Sequence, residues 1–234
     1  MTPYESDIIV ETRLLINNED GWKALPYIWN EEQSEAFLDI SGRERSLTLN
    51  VHGTFNYIIP SMVQCKSCHE KNGKIYPIGP TARQLNSKYN YSEGEKNQLE
   101  KLREISWIDS LPENIPQIVD YMNSLVNIDK RARAYLDINC SYCHREVGSA
   151  KNAGLDLTLD SKNDFTLGLY KSPVAAGKGS GGLLYDIYPG NPDKSILVYR
   201  MESKDHSIMM PEVGRRLIHL EGIELIKKWI ESLE

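Results

Sequence analysis

Two short stretches of the chain carry the same arrangement of cysteine and histidine. Residues 64–69 read Gln-Cys-Lys-Ser-Cys-His, and residues 139–144 read Asn-Cys-Ser-Tyr-Cys-His. Two thiols three residues apart on a helical turn lie on one face, where they can add to the two vinyl groups along one edge of a porphyrin. The histidine that follows can then ligate the iron. The spacing Cys-x-x-Cys-His therefore predicts covalent haem attachment at both stretches.

The two motifs use all four cysteines of the chain. A zinc site built from them would leave two adjacent histidines unexplained, and Cys65 and Cys140 are 75 positions apart (140 minus 65). Zinc modules keep their ligand pairs within about 20 residues, and a redox dithiol normally occurs once, near a βαβ pattern. We therefore expect two covalently bound haem c groups. The predicted attachment residues are Cys65, Cys68, Cys140 and Cys143, and the predicted proximal iron ligands are His69 and His144.

Composition limits the classes of protein that can carry these motifs. The 234 residues are 40% hydrophobic and 26% charged, with a mean hydropathy of -0.46 and a formal net charge of -6. The acidic balance argues against a nucleic-acid partner, and no apolar run approaches the ~18 residues of a membrane span. An acidic surface is compatible with docking to a basic patch on a redox partner protein.

The start of the chain shows no secretion signal. Residues 1–7 contain neither a basic segment nor an apolar segment. Haem is ordinarily attached covalently outside the bacterial cytoplasm, so we expect a periplasmic or extracellular protein whose signal peptide has been removed, or an excised domain.

The hydrophobic pattern and the two motifs predict a mainly α protein with two helical haem modules, which the resemblance described below makes cytochrome c-like. Residues 1–60 form a β-leaning N-terminal segment packed on the modules, 61–127 the first haem module and 128–234 the second. In the first segment we expect a strand near 14–16, a turn at 17–21, an aromatic stretch broken by Pro26, and a hairpin over 46–59 that includes Val51. Helices are predicted at these places: 31–40, a short turn at 61–69, 81–85, from Ser92 through Ile105, 118–125, 129–138, 195–201 and 221–233.

Two further features make the chain resemble a diheme c-type cytochrome with class I-like modules. Gly79-Pro80 follows His69 by 11 residues (80 minus 69), and Met210-Pro211 lies in a loop between two predicted helices. The resemblance implies that the Pro80 carbonyl accepts a hydrogen bond from the His69 imidazole. It implies that Met210 is the distal ligand of the second haem, in preference to its neighbour Met209. A plain turn at Pro80 and methionine as a core filler are the alternatives.

Longer stretches extend the resemblance over nearly the whole chain. Residues 11–15, 27–33, 64–69, 77–80 and 131–137 resemble a bacterial diheme cytochrome family whose biochemical role is not established. Its members occur as secreted proteins or as the tail of polypeptides with sugar-dehydrogenase-like domains. The second half, with residues 189–192 and 210–211, is similar to planctomycete-type cytochrome c modules. Bacterial diheme peroxidases are a poor match, because their motifs lie much farther apart in a longer chain.

No motif identifies the distal ligand of the first haem. Met122 follows His69 by 53 residues (122 minus 69), which is a plausible distance, although no proline follows it. Met62, Met201 and His52 are the other candidates.

The predicted function is electron transfer from a donor protein, such as a dehydrogenase, to an acceptor protein. The protein itself would neither make nor break covalent bonds of a substrate. The alternative is a peroxidase-like enzyme or ligand binder with an open site at the first haem.

Overall fold

The prediction of a mainly α protein is wrong. The computed structural model describes residues 7–50, 52–174 and 177–233, and it is 28% helical and 22% strand, with several small antiparallel sheets and a β-rich N-terminal region. Strands extend well beyond residue 60, into the segment expected to be the first helical module. Residues 1–6 and Val51, which belong to predicted β elements, and Glu234 lie outside the described residues.

Strands dominate the first hundred residues and helices the rest. The strands are β1 (Glu11–Asn18), β2 (Gly21–Trp29), β3 (Ala36–Leu38), β4 (Arg43–Leu49), β5 (Gly53–Ile59), β6 (Glu70–Lys71), β7 (Lys74–Ile75), β8 (Lys88–Tyr91) and β9 (Gly94–Asn97). The helices are α1 (Met62–Cys68), α2 (Ala82–Leu85), α3 (Gln98–Glu104), α4 (Ile128–Asn139), α5 (Asp164–Leu167), α6 (Ile196–Glu202) and α7 (Leu220–Glu231). Short 3-10 helices lie at Lys151–Ala153, Lys178–Ser180 and Pro192–Lys194.

The chain begins with a three-stranded antiparallel sheet in the order β1-β2-β3. The turn predicted at 17–21 is confirmed, because Asn18 pairs with Gly21 across a two-residue connection. The helix predicted over 31–40 is wrong. The side chain of Asn30 accepts hydrogen bonds from the backbone of Ser34 (3.0 Å) and Glu35 (3.2 Å), which closes a turn. That turn sends the chain back as β3.

Pro26 does not break the aromatic stretch as expected. It lies inside β2, opposite Arg13 of β1. Its carbonyl accepts a hydrogen bond from Asp39 (2.9 Å), so its nitrogen faces the side of β3 as well. Because β3 pairs with β2 only as far as Leu38, residue 26 needs no backbone N–H for the ladder with β3, and proline is tolerated at this position.

The hairpin predicted over 46–59 is confirmed as β4 and β5, and it leads directly into the first motif. Gly42, with φ +73°, packs so closely on the end of β5 that a Cβ atom there would lie 2.6 Å from the Ile59 carbonyl oxygen. Ser61 and Gln64 form a capping box that starts α1. The β layer and this cap together position Cys65 and Cys68 on the predicted helical turn.

The segment between the motifs is less helical than expected. The helix predicted from Ser92 is wrong at its start, because Tyr91 and Gly94 close the β8–β9 hairpin and α3 begins only after Asn97, whose side chain caps it. The helix predicted over 118–125 is also wrong. Asp120 and Asn123 accept hydrogen bonds from the backbone two residues on, at Met122 and Leu125, and so form successive turns. The short helix at 81–85 is confirmed as α2.

The main hydrophobic core belongs to the second half. The helices predicted at 129–138, 195–201 and 221–233 are confirmed as α4, α6 and α7, and α4 packs on α7. Trp229 of α7 is fully buried, and its indole N–H donates to Asp129 of α4 (2.9 Å). The buried cluster runs from Ala132 to Ile230, whereas only a few residues before 128 are comparably buried. Within the described residues, no helix has the length and apolar character that crossing a membrane requires.

Candidate functional site

The fold brings the two Cys-x-x-Cys-His motifs into direct contact. The Ser67 carbonyl oxygen, inside the first motif, accepts hydrogen bonds from the Cys143 thiol (3.4 Å) and from the Ser149 hydroxyl (2.6 Å). A backbone hydrogen bond from Asn72 to Val147 (3.2 Å) joins the segments that follow the motifs. The second cysteine of each motif therefore lies at the junction between them.

The second motif begins where α4 ends. Cys140 is the C-cap residue of that helix, and the backbone N–H of His144 donates to its carbonyl (3.0 Å). The chain then folds back so tightly that a Cβ atom on Gly148 would lie 2.2 Å from the Cys143 carbonyl oxygen. The backbone N–H of Ala150 also donates to that carbonyl (3.1 Å). Helix end and following loop thus fix the motif from both sides.

A cavity of about 1260 Å³ opens beside the second motif. Cys140, Cys143 and His144 line it, and so does Met210 from the loop before α7. Its apolar wall comes from the main core, and the residues concerned are Leu155, Leu157, Leu167, Ile187, Ile196 and Ile223. The volume exceeds the 300–1,000 Å³ typical of small-molecule sites, so the cavity has room for a large planar group.

The imidazole of His144 is largely buried and neutral. Burial, reinforced by the nearby cations Arg200 and Lys171, lowers the pKa of its imidazole to about 4. The ring is therefore neutral at physiological pH, which is the form that ligates a metal. Its Nδ1 atom is buried and has no hydrogen-bond partner. A buried polar atom of this kind requires an explanation, and the donor set around it fits a haem held by this motif.

The first motif is packed differently. Cys65 is buried, and burial raises the pKa of its thiol. His69 is partly buried, and burial lowers the pKa of its imidazole. Neither residue lines the large cavity, whereas Cys68 does. Beside this motif lies a cluster in which Glu11 binds Arg13 and accepts a hydrogen bond from the Tyr57 hydroxyl (2.6 Å).

The predicted bond between Pro80 and His69 is not formed. The His69 Nδ1 atom is buried without a hydrogen-bond partner, and Pro80 is exposed. The Gly79–Pro80 peptide bond is cis, as is the Met210–Pro211 bond. In both motif histidines, His69 and His144, the Nδ1 atom is buried and has no hydrogen-bond partner.

Cys68 and Cys143 lie close enough at the junction for each to shift the pKa of the other. The neighbouring Cys68 side chain lowers the pKa of Cys143 to about 7, and Cys143 together with burial raises the pKa of Cys68. Burial raises the pKa of Cys140 to about 12. Cys143 is therefore the most readily ionised of the four thiols.

The methionines and the histidine that are candidate distal ligands differ in their position relative to the cavity. Met210 lines the cavity, whereas its neighbour Met209 is 4% exposed in the core and does not. Met201, on α6, also lines the cavity. Met122 is 54% exposed in a turn, outside the cavity lining. Two further candidates are exposed, Met62 at the start of α1 and His52 in the turn between β4 and β5.

Several cavity residues were not found from the sequence. Arg200 and Arg215 line the wall, and both donate to backbone carbonyls near the Met210 loop, Arg200 to Ile208 (2.8 Å) and Arg215 to Met201 (2.5 Å). Tyr135 and His219 also line the cavity and stack on each other, with the Tyr135 hydroxyl 3.1 Å from His219 Nδ1. An arginine at the end of a short helix and a histidine before a terminal helix carry no motif, so no local signal marks them.

In the part of the chain that the structure describes, no three His, Cys, Asp or Glu side chains are arranged to hold a metal ion. A haem iron takes only one or two protein ligands, so the finding concerns free-ion sites. Comparison of the chain with protein-family models, with curated proteins and with solved structures found no match in any of the three.

Proposed function

We propose that this protein is a diheme c-type cytochrome that passes single electrons between redox partners. The observation that carries the proposal is the meeting of two complete Cys-x-x-Cys-His motifs in the fold, one of them beside a cavity that contains Met210. Haem bound at the motifs would supply a one-electron couple at each site.

The residue roles follow from the motifs. Cys65 and Cys68 hold the first haem, and His69 ligates its iron. For the second haem, Cys140 and Cys143 are the attachment residues, His144 the proximal ligand and Met210 the distal one. Met122 is the candidate distal ligand at the first site.

The surroundings of the second motif suit these roles. The neutral, buried imidazole of His144 is ready to ligate without losing a proton. Part of the wall is apolar, and a thioether ligand together with low polarity would favour ferrous iron. Arg200 and Arg215 place positive charge on the wall, which suits a bound group carrying carboxylates.

Contact between the motifs supports a function in electron transfer. Because the Cys143 thiol donates to the Ser67 carbonyl inside the first motif, groups attached at the two motifs would be neighbours, and an electron entering at one would have a short path to the other. We propose that the donor is a dehydrogenase-type partner and that the protein works in the periplasm or outside the cell. If the acidic surface steers this encounter, the rate of reduction by the partner should fall as salt rises. A rate independent of salt would remove that role for the surface.

A haem count tests the proposal directly. The chain is produced in a host that assembles c-type cytochromes, and covalent haem is measured by a pyridine haemochrome assay and by intact mass. We expect two haems for the wild type. The Cys65→Ala/Cys68→Ala and Cys140→Ala/Cys143→Ala variants should each retain one, and each serves as control for the other. A colourless wild-type chain with the mass of its amino acids alone would overturn the proposal.

A second candidate function is a peroxidase-like enzyme or ligand binder at the first haem. It is favoured by the exposure of Met122, the residue expected to complete that iron. Absorption and EPR spectra with cyanide and carbon monoxide separate the two functions. Low-spin iron that binds neither cyanide nor carbon monoxide supports the electron carrier. A high-spin fraction that binds these ligands rapidly supports the enzyme or ligand binder.

A further inference from the structure

A second, smaller pocket lies against the loop between α6 and α7, and its lining is basic. Lys204, His206, Arg215 and Arg216 contribute to that lining, and no Asp or Glu does. The volume is about 50 Å³. One water molecule needs roughly 10–15 Å³ of such space, so this basic pocket has room for a small group of several atoms.

The acidic side chains of the same loop do not neutralise the basic pocket. Asp205 pairs with Lys178 (2.9 Å) and Glu212 pairs with Arg200 (3.4 Å), and neither carboxylate lines the pocket. Among the described residues, no Asp or Glu forms an ion pair with the lysine or with either arginine of the pocket. In a chain of net charge -6, three neighbouring cations without a counter-ion make a local site of positive potential.

Arg215 is held in a fixed position at this pocket. Its guanidinium donates to the carbonyls of Met201 (2.5 Å) and Ser203 at the end of α6. A guanidinium has five N–H donors, so these two bonds leave three for a ligand. Burial lowers the pKa of Arg215, because its charged form has lost part of its hydration. A bound anion would replace that lost solvation.

Arg216 and Lys204 bring two further cations to the same pocket. Arg216 is partly exposed, and its Nη1 atom lies 2.6 Å from His206 Nε2, which holds the guanidinium against the loop. Lys204 is exposed and adds a mobile point charge. Guanidinium groups bind pairs of oxygen atoms on phosphate or carboxylate. Two guanidinium groups and one ammonium group suit an anion that has more than two oxygens and more than one negative charge.

We propose that the basic pocket binds a small, multiply charged oxyanion of the phosphate type, held by Arg215, Arg216 and Lys204. A simple carboxylate has two oxygens and a single charge, so it would leave at least one of the three cations without a partner. A tetrahedral dianion presents an oxygen to each of them. The site is distinct from the large cavity in its lining, apart from Arg215, which the two share.

The shared arginine has a consequence that rests on the proposed function. Because Arg215 lines the cavity that contains Met210, a negative charge bound on its other side lowers the positive potential there. The anion would therefore favour ferric iron at the second motif. By linkage, the oxidised protein would bind the anion more tightly than the reduced protein does.

Titration calorimetry tests the site. The full-length protein, produced in a host that assembles c-type cytochromes, is titrated with sodium phosphate at about pH 8, where phosphate is mostly a dianion. Sodium acetate and sodium chloride are titrated at the same ionic strength. We expect one phosphate to bind per chain, with no saturable binding of acetate or chloride over the same range of concentration.

Substitutions locate the binding. Lys204→Gln and Arg216→Gln should each weaken phosphate binding by about tenfold or more, the usual effect of losing a hydrogen bond between charged groups. The control is Lys194→Gln, because Lys194 is an exposed lysine in the 3-10 helix Pro192–Lys194, outside the pocket lining. It should bind phosphate as the wild type does. No saturable binding to the wild type, acetate binding as tight as phosphate binding, or equal weakening by Lys194→Gln would overturn the proposal.

A potentiometric titration separates this inference from the proposed function. Saturating phosphate at constant ionic strength should lower the potential of the second haem in the wild type, and should lower it less in Arg216→Gln. An unchanged wild-type potential would overturn the coupling through Arg215. Phosphate binding by a purified chain that proves to carry no haem would overturn the proposed function but not the pocket. Two haems on a chain that does not bind phosphate would do the reverse.

Discussion

The two motif histidines share a sequence context but not an environment. His144 lies in the cavity with Met210, and burial among cations lowers the pKa of its imidazole to about 4. His69 is outside that cavity, next to the cluster of Glu11, Arg13 and Tyr57. If the two motifs hold haem as proposed, their irons should differ in potential, because the surroundings of the ligand set the potential as much as the ligand does.

The proposed role of Met210 as distal ligand of a second haem can be tested by substitution. Met210→His should leave both haems attached and lower the potential of the second one, because imidazole stabilises ferric iron better than a thioether does. The matched variant Met122→His should leave the second potential unchanged. A potentiometric titration followed by absorption measures both. If Met210→His shifts only the potential of the first haem, Met210 is a ligand of that haem and not of the second. If it shifts neither potential, Met210 is a core residue.

Tyr57 donates to the largely buried carboxylate of Glu11, and burial together with that carboxylate raises the pKa of the phenol to about 12. Tyr57→Phe should lower the free energy of unfolding by about 1.5 kcal/mol at pH 7, the value for a hydrogen bond to a charged group. A raised pKa contributes stability that is complete below pH 10 and is lost as pH rises through 12. Urea unfolding from pH 7 to 11 should therefore show the difference between wild type and variant shrinking above pH 10.

A control for this prediction is Tyr89→Phe, since Tyr89 is exposed. It should change stability by less than about 0.5 kcal/mol. A difference between wild type and Tyr57→Phe that stays constant from pH 7 to 11 would contradict the account of Tyr57.

At the scale of elements, short structures do most of the positioning. The capping box of α1 and the end of α4 place the two cysteine pairs, and tight loops hold them there. Helices predicted at 31–40 and 118–125 are replaced by turns because Asn and Asp side chains bind nearby backbone N–H groups. Such local competition is visible in sequence only as composition, which is why these predictions failed.

The loop after the second motif should be intolerant of a methyl group. In Gly148→Ala the new Cβ atom would lie 2.2 Å from the Cys143 carbonyl oxygen, so the backbone of the motif must shift. We expect a loss of about 2 kcal/mol of unfolding free energy, typical of overpacking, and weaker haem attachment at this motif. The matched control is Gly179→Ala, where the nearest atom outside the loop, Arg200 Cζ, is 3.7 Å away. Equal effects of the two variants on urea unfolding would contradict the prediction.

At the scale of the whole molecule, a few contacts tie the β-rich half to the helical half. Besides the junction of the motifs, Arg83 of α2 pairs with the buried Asp137 of α4 (3.4 Å). Asp137 also accepts the backbone N–H of Leu159 (2.9 Å). The two motif-bearing segments thus share a common support, although the main core belongs to the second.

Arg83→Ala should leave the Asp137 carboxylate buried without its cation. Breaking a buried pair in this way costs about 3 kcal/mol, which should appear in urea unfolding. Arg83 also pairs with Asp160 (3.0 Å), whose side chain is 84% exposed. Asp160→Ala is therefore the control, and it should cost less than about 1 kcal/mol because solvent screens that pair. A cost as small for Arg83→Ala would show that the halves are not joined through Asp137.

Sequence alone was enough for features that depend on neighbours along the chain. The spacing within each Cys-x-x-Cys-His motif, the capped turn that bears Cys65 and the apolar stripes of α4 and α7 are local, so their periodicity and capping residues predict them. The β4–β5 hairpin is predictable for the same reason.

Only the tertiary structure decided which distant groups meet. Ser67 and Cys143 are 76 positions apart, and nothing local brings the two motifs together. The choice of Met210 over Met209 as a cavity residue, and the presence of Arg200 beside His144, likewise arise from packing. A motif specifies the chemistry that its own residues can do. The environment of that chemistry comes from elements far away along the chain. Their burial and their contacts with the motif cannot be predicted from the spacing of the motif residues.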